Sequence, residues 1–377
     1  MAEATRDRIQ CALMRGGTSR GIVVLDRDLP KDAKRRDEVL MAMLGNPDPF
    51  QVDGLGGGTP WTSVVAILAE AQHGKGDLEV ACGRLVPGAS SVDYSTVCGD
   101  LLAAAAEFAI DQKLVKAKHP SASVHMIAAG GQNVVVEVPV KGDRARIEGP
   151  CLVADLPRSG ACIRVTFKDI NADLGRLFPT GHQREGVTTP YGEYVVSIVD
   201  AITPVVFVNA GALGLTGTEL PDQLESDAGL LDRAEAIRGA AAEAVGLVAD
   251  RLEAGARSPV RPRLVTVFES VEYDDLAGRH ISVMDTDLTC REAWLDVFHY
   301  AFDAEVAACT AIAAQIDGTV VWDALLREAP PRVVNIGHPS GVISIEVYVE
   351  RRKDGPWVKS ASFETTARRI MDGFVYV

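Results

Sequence analysis

The apolar positions of the first hundred residues recur at short period. Runs such as IQCALM, GIVVL, SVVAIL and LEVACGRLV are brief, rich in β-branched residues and separated by glycine-rich turns, which predicts strands. Residues 34–44 (KRRDEVLMAML) carry a helical period and are closed by the turn-rich GNPDPF. Residues 99–115 are apolar on every side, the pattern of a helix buried all round. Strands are expected again in VHMIAAGGQNVVVEVPV and ARIEGPCLVAD.

A second block repeats the plan. Strands are expected over 184–209, a helix over 221–254, and strands in RLVTVFES and RHISVMDTDL. EVAACTAIAAQI (305–316) is another small-residue helix, and strands close the chain. Each half thus reads as strands around an alanine-rich helix that a cysteine opens, an internal repeat of architecture rather than of letters. The fold class is α+β, with domains expected at 1–183 and 184–377, the last strands free to pack back on the first domain.

The chain has 377 residues, 47% of them hydrophobic, enough for two cores. Its net charge of −14 opposes a nucleic-acid or anionic-membrane partner, which needs a basic footprint. No apolar run reaches the roughly 18 residues of a membrane span, and the opening MAEATRDRIQ lacks a signal-peptide core. The seven cysteines, at 11, 82, 98, 151, 162, 290 and 309, form no CxxC pair. That predicts a reduced, cytoplasmic protein with neither structural zinc nor another metal.

Cys98 precedes the first alanine-rich helix and Cys309 the second. Helix N-termini present unpaired N–H groups and partial positive charge, which favours a thiolate there. Such a thiol can take or give a proton, and the same N–H groups can hold a carboxylate or the enolate formed by deprotonation. The bland alternative is that each is a small buried residue; the other five cysteines are read that way. RGGTSRG (15–21) and GLGGGTP (54–60) could cradle an anion, although they match neither a P-loop nor a dinucleotide fingerprint and could equally be tight turns. In GHPSG (337–341), His338 is either a carboxylate ligand or a turn residue.

The segments MRGGTSRG (14–21), DGLGGGTPWTS (53–63), EFAID (107–111), VDAITPVVFVNAGALGLTGTELP (199–221), ACTAIAAQIDGTV (308–320), IGHPSG (336–341) and TARRIMDGFVYV (366–377) resemble the PrpF-type isomerases over the whole chain. That family includes 2-methylaconitate cis–trans isomerase, methylitaconate Δ-isomerase and 4-oxalomesaconate tautomerase. The resemblance implies a diaminopimelate epimerase-like fold of two similar domains, each a curved, mostly antiparallel sheet around a central helix, with the site in the cleft between. It implies cofactor-free proton transfer on a small unsaturated carboxylate by an acid/base pair, and is compatible with a homodimer.

By position, the resemblance makes Cys98 one catalytic group. Cys309, Glu305 and His299, in that order, are candidates for the second. Thr18, Ser19, Gly56, Gly57, Thr59, Ser63, Gly99, Asp100, Thr310, His338, Ser340 and Gly341 fall on expected substrate-binding positions. The chain also departs from the pattern. Val64 stands where the family carries a lysine, Val97 and Asp100 replace amides, Glu305 and Val306 precede Cys309, and Thr365 stands where arginine is common. Asp100 would either approach Cys98 and raise its pKa or cap the helix; Glu305 would either enter the cleft or face solvent. These changes make the expected pocket less positive, which favours a substrate with fewer negative charges than methylaconitate. Two other readings stay open: the same fold with epimerase, lyase or hydratase chemistry, and a non-catalytic metabolite-binding relative.

Overall fold

The computed structural model describes residues 8–71, 76–154, 156–170, 172–294, 297–326, 329–353 and 355–377. The first seven residues, read above for a leader, and Asp155, at the end of an expected strand, lie outside the described residues.

The chain opens with a hairpin, β1 (Arg8–Gly16) and β2 (Ser19–Leu25), turned by Gly17 and Thr18. Helix α1 (Ala33–Leu44) starts where the Asp32 carboxylate accepts from Arg35 N–H and stops at Gly45, whose φ of 89° suits only glycine well. Strand β3 (Val64–Glu70) runs parallel to β2, and β4 (Leu78–Arg84) antiparallel to β3. Helix α2 (Gly99–Asp111) follows, then β5 (Ser121–Ile127), β6 (Asn133–Lys141), the two-residue β7 (Arg144–Ala145) and β8 (Ile163–Lys168).

Strands β9 (Glu185–Thr189), β10 (Gly192–Ala201) and β11 (Thr203–Asn209) precede three helices: α3 (Pro221–Glu225), α4 (Ala228–Ala244) and α5 (Ala254–Arg257). Next come β12 (Arg263–Glu269), β13 (Tyr273–Asp274), β14 (His280–Ile281), β15 (Leu288–Trp294) and β16 (Val297–Phe298). Helices α6 (Ala304–Ala313) and α7 (Val320–Ala324) lead to β17 (Val333–His338), β18 (Gly341–Arg352), β19 (Gly355–Thr365) and β20 (Ala367–Tyr376).

Two compact units result: Met1–Thr166 with Glu364–Val377, and Phe167–Phe363. The boundary expected at 183/184 falls inside the second unit. The return of the chain to the first unit is made by β20, which pairs with β1 along its whole length.

Each unit holds one helix buried on all sides. In the first, α2 packs on β1, β2, β3, β6 and β20, and every residue from Gly99 to Ile110 is buried. Leu101, Leu102, Phe108 and Ile110 each contribute roughly 1.5–3 kcal/mol by leaving water. In the second, α6 packs on β10, β11, β17 and β18, and all its residues are buried. Alanine suits both places, because it lets strands approach a helix from every direction at no side-chain entropy cost.

Several boundaries differ from the sequence reading. Helix α2 ends at Asp111 rather than 115, and Lys113 beyond it takes a φ of 60°. The single helix expected over 221–254 is two, α3 and α4, with α5 beginning only at Ala254. Asp227 interrupts it by capping α4, its carboxylate accepting from Leu230 N–H, and Gly246 at φ 75° turns the chain after α4. The stretch 145–154 is mostly irregular; outside β7 it keeps, among the described residues, one antiparallel bridge, Cys151 with Gly160. Among the described residues, no helix is long and apolar enough to cross a membrane.

Candidate functional site

In the first unit, Cys98 is the N-cap residue of α2, with extended backbone (φ −114°, ψ 95°) and its carbonyl accepting from Leu102 N–H at 3.1 Å. The β1–β2 turn lies against this end of the helix. A Cβ at Gly16 would strike the Asp100 carbonyl, and one at Gly17 the Asp100 carboxylate, so the paired glycines permit the approach. Asp100 Oδ2 accepts from Thr18 N–H at 3.2 Å and from the Thr18 hydroxyl at 3.0 Å. Asp100 therefore ties the turn to the first turn of α2 and is not the helix cap, which is Cys98. Arg15 fixes the turn from the other side, donating to the Gly17 carbonyl and to the carbonyl and hydroxyl of Thr366.

The second glycine-rich loop, 54–63, is built around Gln51, a buried residue at a φ of 51°. Gln51 Oε1 accepts from Gly58 N–H at 2.8 Å and from the Ser63 hydroxyl at 2.7 Å, while Nε2 donates to Asn46 Oδ1 at 2.7 Å. Gly56 leaves room for this amide, since a Cβ there would overlap it. Ser63 is fully buried, and its hydroxyl points to Gln51 and the Thr59 carbonyl. The Thr59 and Thr62 hydroxyls meet at 2.6 Å.

Gly57 sits against the guanidinium of Arg20 and Thr62. Arg20 follows Ser19 in β2; it is half-buried, and its Nε has no hydrogen-bond partner among the described residues. Ser19 is buried, and among the described residues its hydroxyl has no partner. Val64, where the family lysine is expected, is a fully buried core residue paired in register with Gly21, the residue after Arg20. Sequence reasoning missed both Arg20 and Gln51. Arg20 lay inside a quoted motif, but nothing in the letters says that it faces the second loop.

The second unit corrects the placement of Cys309. Helix α6 begins at Ala304, with Asp303 as its N-cap residue, so Cys309 lies in mid-helix instead of opening it. Its Sγ is 3.6 Å from the Val199 carbonyl, and burial pushes the thiol well above its usual range. Thr310 is likewise internal: its hydroxyl donates to the Val306 carbonyl, one turn back, at 2.8 Å. Glu305 is in the first turn of α6 and is buried, so the solvated alternative for it does not hold.

His299 lies before that helix, in a buried charged cluster. Its Nδ1 accepts from Ala301 N–H at 2.8 Å, and Nε2 is 3.2 Å from Asp303 Oδ1. Arg263 Nη2 reaches Asp303 Oδ2 at 2.9 Å while its guanidinium stacks on Trp294, and Glu292 Oε2 accepts from Asp303 N–H at 2.9 Å. Burial lowers the His299 pKa, but Asp303 and Glu292 act the other way and the net shift is upward. Burial, with Asp303 beside it, raises Glu292.

His338 and Ser340 form the turn between β17 and β18. Tyr273 pins it by donating its hydroxyl to the carbonyls of His338, at 2.8 Å, and Gly341, at 2.9 Å. The Ser340 hydroxyl donates to the Tyr300 carbonyl. Burial, with Arg291, His299 and Arg279 nearby, brings His338 down to about 3, so the imidazole is neutral.

The PrpF protein family model matches residues 6–377. The chain is 37% identical to 3-methylitaconate isomerase of Eubacterium barkeri, covering 98% of this chain and 97% of that protein. It is 31% identical to 2-methyl-aconitate isomerase of Shewanella oneidensis, covering 98% and 97%. A crystal structure of methylitaconate-delta-isomerase matches with a TM-score of 0.80 at 36% identity, covering 99% of this chain and 96% of that one. A hydroxyproline epimerase from Agrobacterium vitis shares the fold, with a TM-score of 0.60 at 11% identity over 98% and 93% of the two chains. The architecture is thus the α+β, diaminopimelate epimerase-like one. A match along nearly the full length, with more than a third of positions identical to one relative, places the chain in the PrpF protein family, as an isomerase.

Proposed function

We propose that this protein moves a proton on a small unsaturated carboxylic or keto acid, shifting or isomerising its double bond without a cofactor, and that Cys98 is one of the acid/base groups. The observation that carries this reading is the position of Cys98 at the N-cap of α2. The first N–H groups of a helix lack internal partners and carry partial positive charge. That end of α2 can favour a thiolate and bear the negative charge that develops on an enolate.

Arg20 complements it. A half-buried guanidinium beside a glycine-rich loop, its Nε without a partner among the described residues, is suited to a bidentate carboxylate. With one carboxylate held, a proton in conjugation with the double bond can leave to Cys98 and return at another carbon. The charge delocalises into the acid meanwhile, so the chemistry needs a base, an acid and an anion-stabilising pocket. The names of the relatives support this substrate class, since methylitaconate and methylaconitate are small unsaturated acids. Val64 and the prior commitment of Arg15 to Thr366 favour a substrate with fewer carboxylates than methylaconitate.

The test is incubation of methylitaconate and related monoanionic and dianionic acids with the protein in D₂O. Deuterium entering the allylic or α position, together with the shifted double bond, is the expected result. Release of a smaller product would mean a lyase. No exchange with any acid of the series would refute the reading.

A further inference from the structure

Cys151, Cys162 and Glu364, all of the first unit, come together outside the residues assigned to the isomerase chemistry. Their ligand atoms, two Sγ and a carboxylate oxygen, all lie within 4.8 Å of one another. The sequence gives no hint of it, because the cysteines are not in a CxxC pair and the glutamate is some two hundred positions away.

The backbone holds them there. Cys151 and Gly160 exchange N–H···O bonds of 3.0 and 2.9 Å, and Ala161 N–H donates to the Ile147 carbonyl at 2.8 Å. Gly149 is packed so closely on Ala161 that a Cβ would lie 2.7 Å from its Cα. Cys151 Sγ is 3.9 Å from the Thr365 carbonyl, which sets it beside Glu364 at the end of β19. Both cysteines are half-buried and Glu364 is exposed, so an ion can enter.

We propose that Cys151, Cys162 and Glu364 form a binding site for a thiophilic divalent cation of the Zn²⁺ class. Two sulfurs and one carboxylate are a soft-to-borderline set that prefers Zn²⁺ to Mg²⁺ or Ca²⁺. Tetrahedral Zn²⁺, with Zn–S of about 2.3 Å and Zn–O of about 2.0–2.2 Å, needs donors a little under 4 Å apart, reachable by side-chain rotation alone. The fourth position is left to water. Arg164 Nη1, 3.7 Å from Glu364 Oε1, can hold one carboxylate oxygen while the other meets the metal.

The experiment is titration of the full-length protein with Cd²⁺, and separately Zn²⁺, under a non-thiol reductant. The expected result is one equivalent of Cd²⁺ bound with thiolate charge-transfer absorbance. That band is lost in Cys151→Ser and in Cys162→Ser, and binding is weakened in Glu364→Gln. In the unaltered protein, Zn²⁺ should protect Cys151 and Cys162, together, from alkylation; this readout does not depend on any variant folding. Equal Cd²⁺ binding by wild type and Cys151→Ser overturns the proposal. So does unprotected alkylation with a 151–162 disulfide formed under hydrogen peroxide, which would identify a redox pair instead.

Discussion

Helices α2 and α6 look alike as sequence and place their cysteines differently. Both are alanine-rich, both are buried on all sides within their own unit, and both carry a cysteine. At α2 the cysteine is the N-cap residue. At α6 the N-cap residue is Asp303, and the cysteine lies well inside, its thiol against a carbonyl. The difference teaches where reactivity comes from. The field of a helix acts within its first turn, so Cys98 is within its reach and Cys309, in mid-helix, is beyond it. The first turn of α6 is occupied instead by Glu305 and preceded by the His299–Asp303–Arg263–Glu292 cluster, in which a histidine and an arginine face two carboxylates.

The sharpest way to break this contrast is kinetic. Cys98→Ser should lower kcat/KM for a methylitaconate-type acid by about 10²–10⁴-fold, the range for loss of a general acid or base. Cys309→Ser should leave it within about tenfold, on the same scale. Equal losses at both positions would mean that depth in the helix does not decide which sulfur reacts.

Two buried groups, one in each unit, respond to pH in opposite directions. His338, in the second, is held neutral with its pKa near 3 against an ordinary 6.5. The unfolded chain then binds more protons between those values, and stability falls as pH drops from about 6.5 towards 3. The limit is on the order of 4 kcal/mol. Glu107, buried on α2 with Asp111 adding to the effect of burial, is pushed up to about 7 from 4.5. Here the folded chain binds more protons, so its contribution is present below 4.5 and is lost as pH rises through 7, a change of about 3 kcal/mol. Urea unfolding across pH should therefore show a steep acid limb that His338→Gln flattens, and a loss between 4.5 and 7 that Glu107→Gln removes. If both variants keep the wild-type profile, these groups are not the source of its pH dependence.

How much of this could be read beforehand follows from the physics of each signal. Helix α1 was legible because Asp32 and Gly45 mark its ends chemically. The start of α2 was legible because polar DYST (93–96) gives way there to an apolar run. The start of α6 was not, because AFDAEVAACTAIAA is small and apolar on both sides of Asp303, and the cysteine looked like a boundary when the aspartate was one. The long helix expected over 221–254 failed for a related reason: Asp227 reads as an ordinary surface residue until its carboxylate is seen to cap. The glycine-rich loops were legible as loops, while their organiser, Gln51, was not. Its role rests on three hydrogen bonds to residues between five and twelve positions away, which no periodicity records. The meeting of Cys151 with Cys162 was hidden because irregular backbone, not a strand pattern, aligns them.

Arg20 and Arg263 extend the comparison to cations. Arg263, in the second unit, is buried, paired with Asp303 and stacked on Trp294, so its charge is already used. Arg20, in the first, is half-buried beside Gly57, its Nε without a partner among the described residues. A guanidinium nitrogen without a partner leaves its hydrogen-bonding capacity to a ligand. A charge-assisted hydrogen bond to it is worth about 1.5–3 kcal/mol. Arg20→Met should therefore raise KM by roughly 10–100-fold with a smaller change in kcat, since the carboxylate is held in ground state and transition state alike. Arg20→Lys should recover part of the loss, because an ammonium keeps the charge but not the bidentate geometry. Thermal stability should hardly move, as Nε leaves no partner behind. If Arg20→Met unfolds the protein, or lowers kcat with KM unchanged, the arginine is structural or acts on the reacting carbon, and it does not hold the substrate's carboxylate.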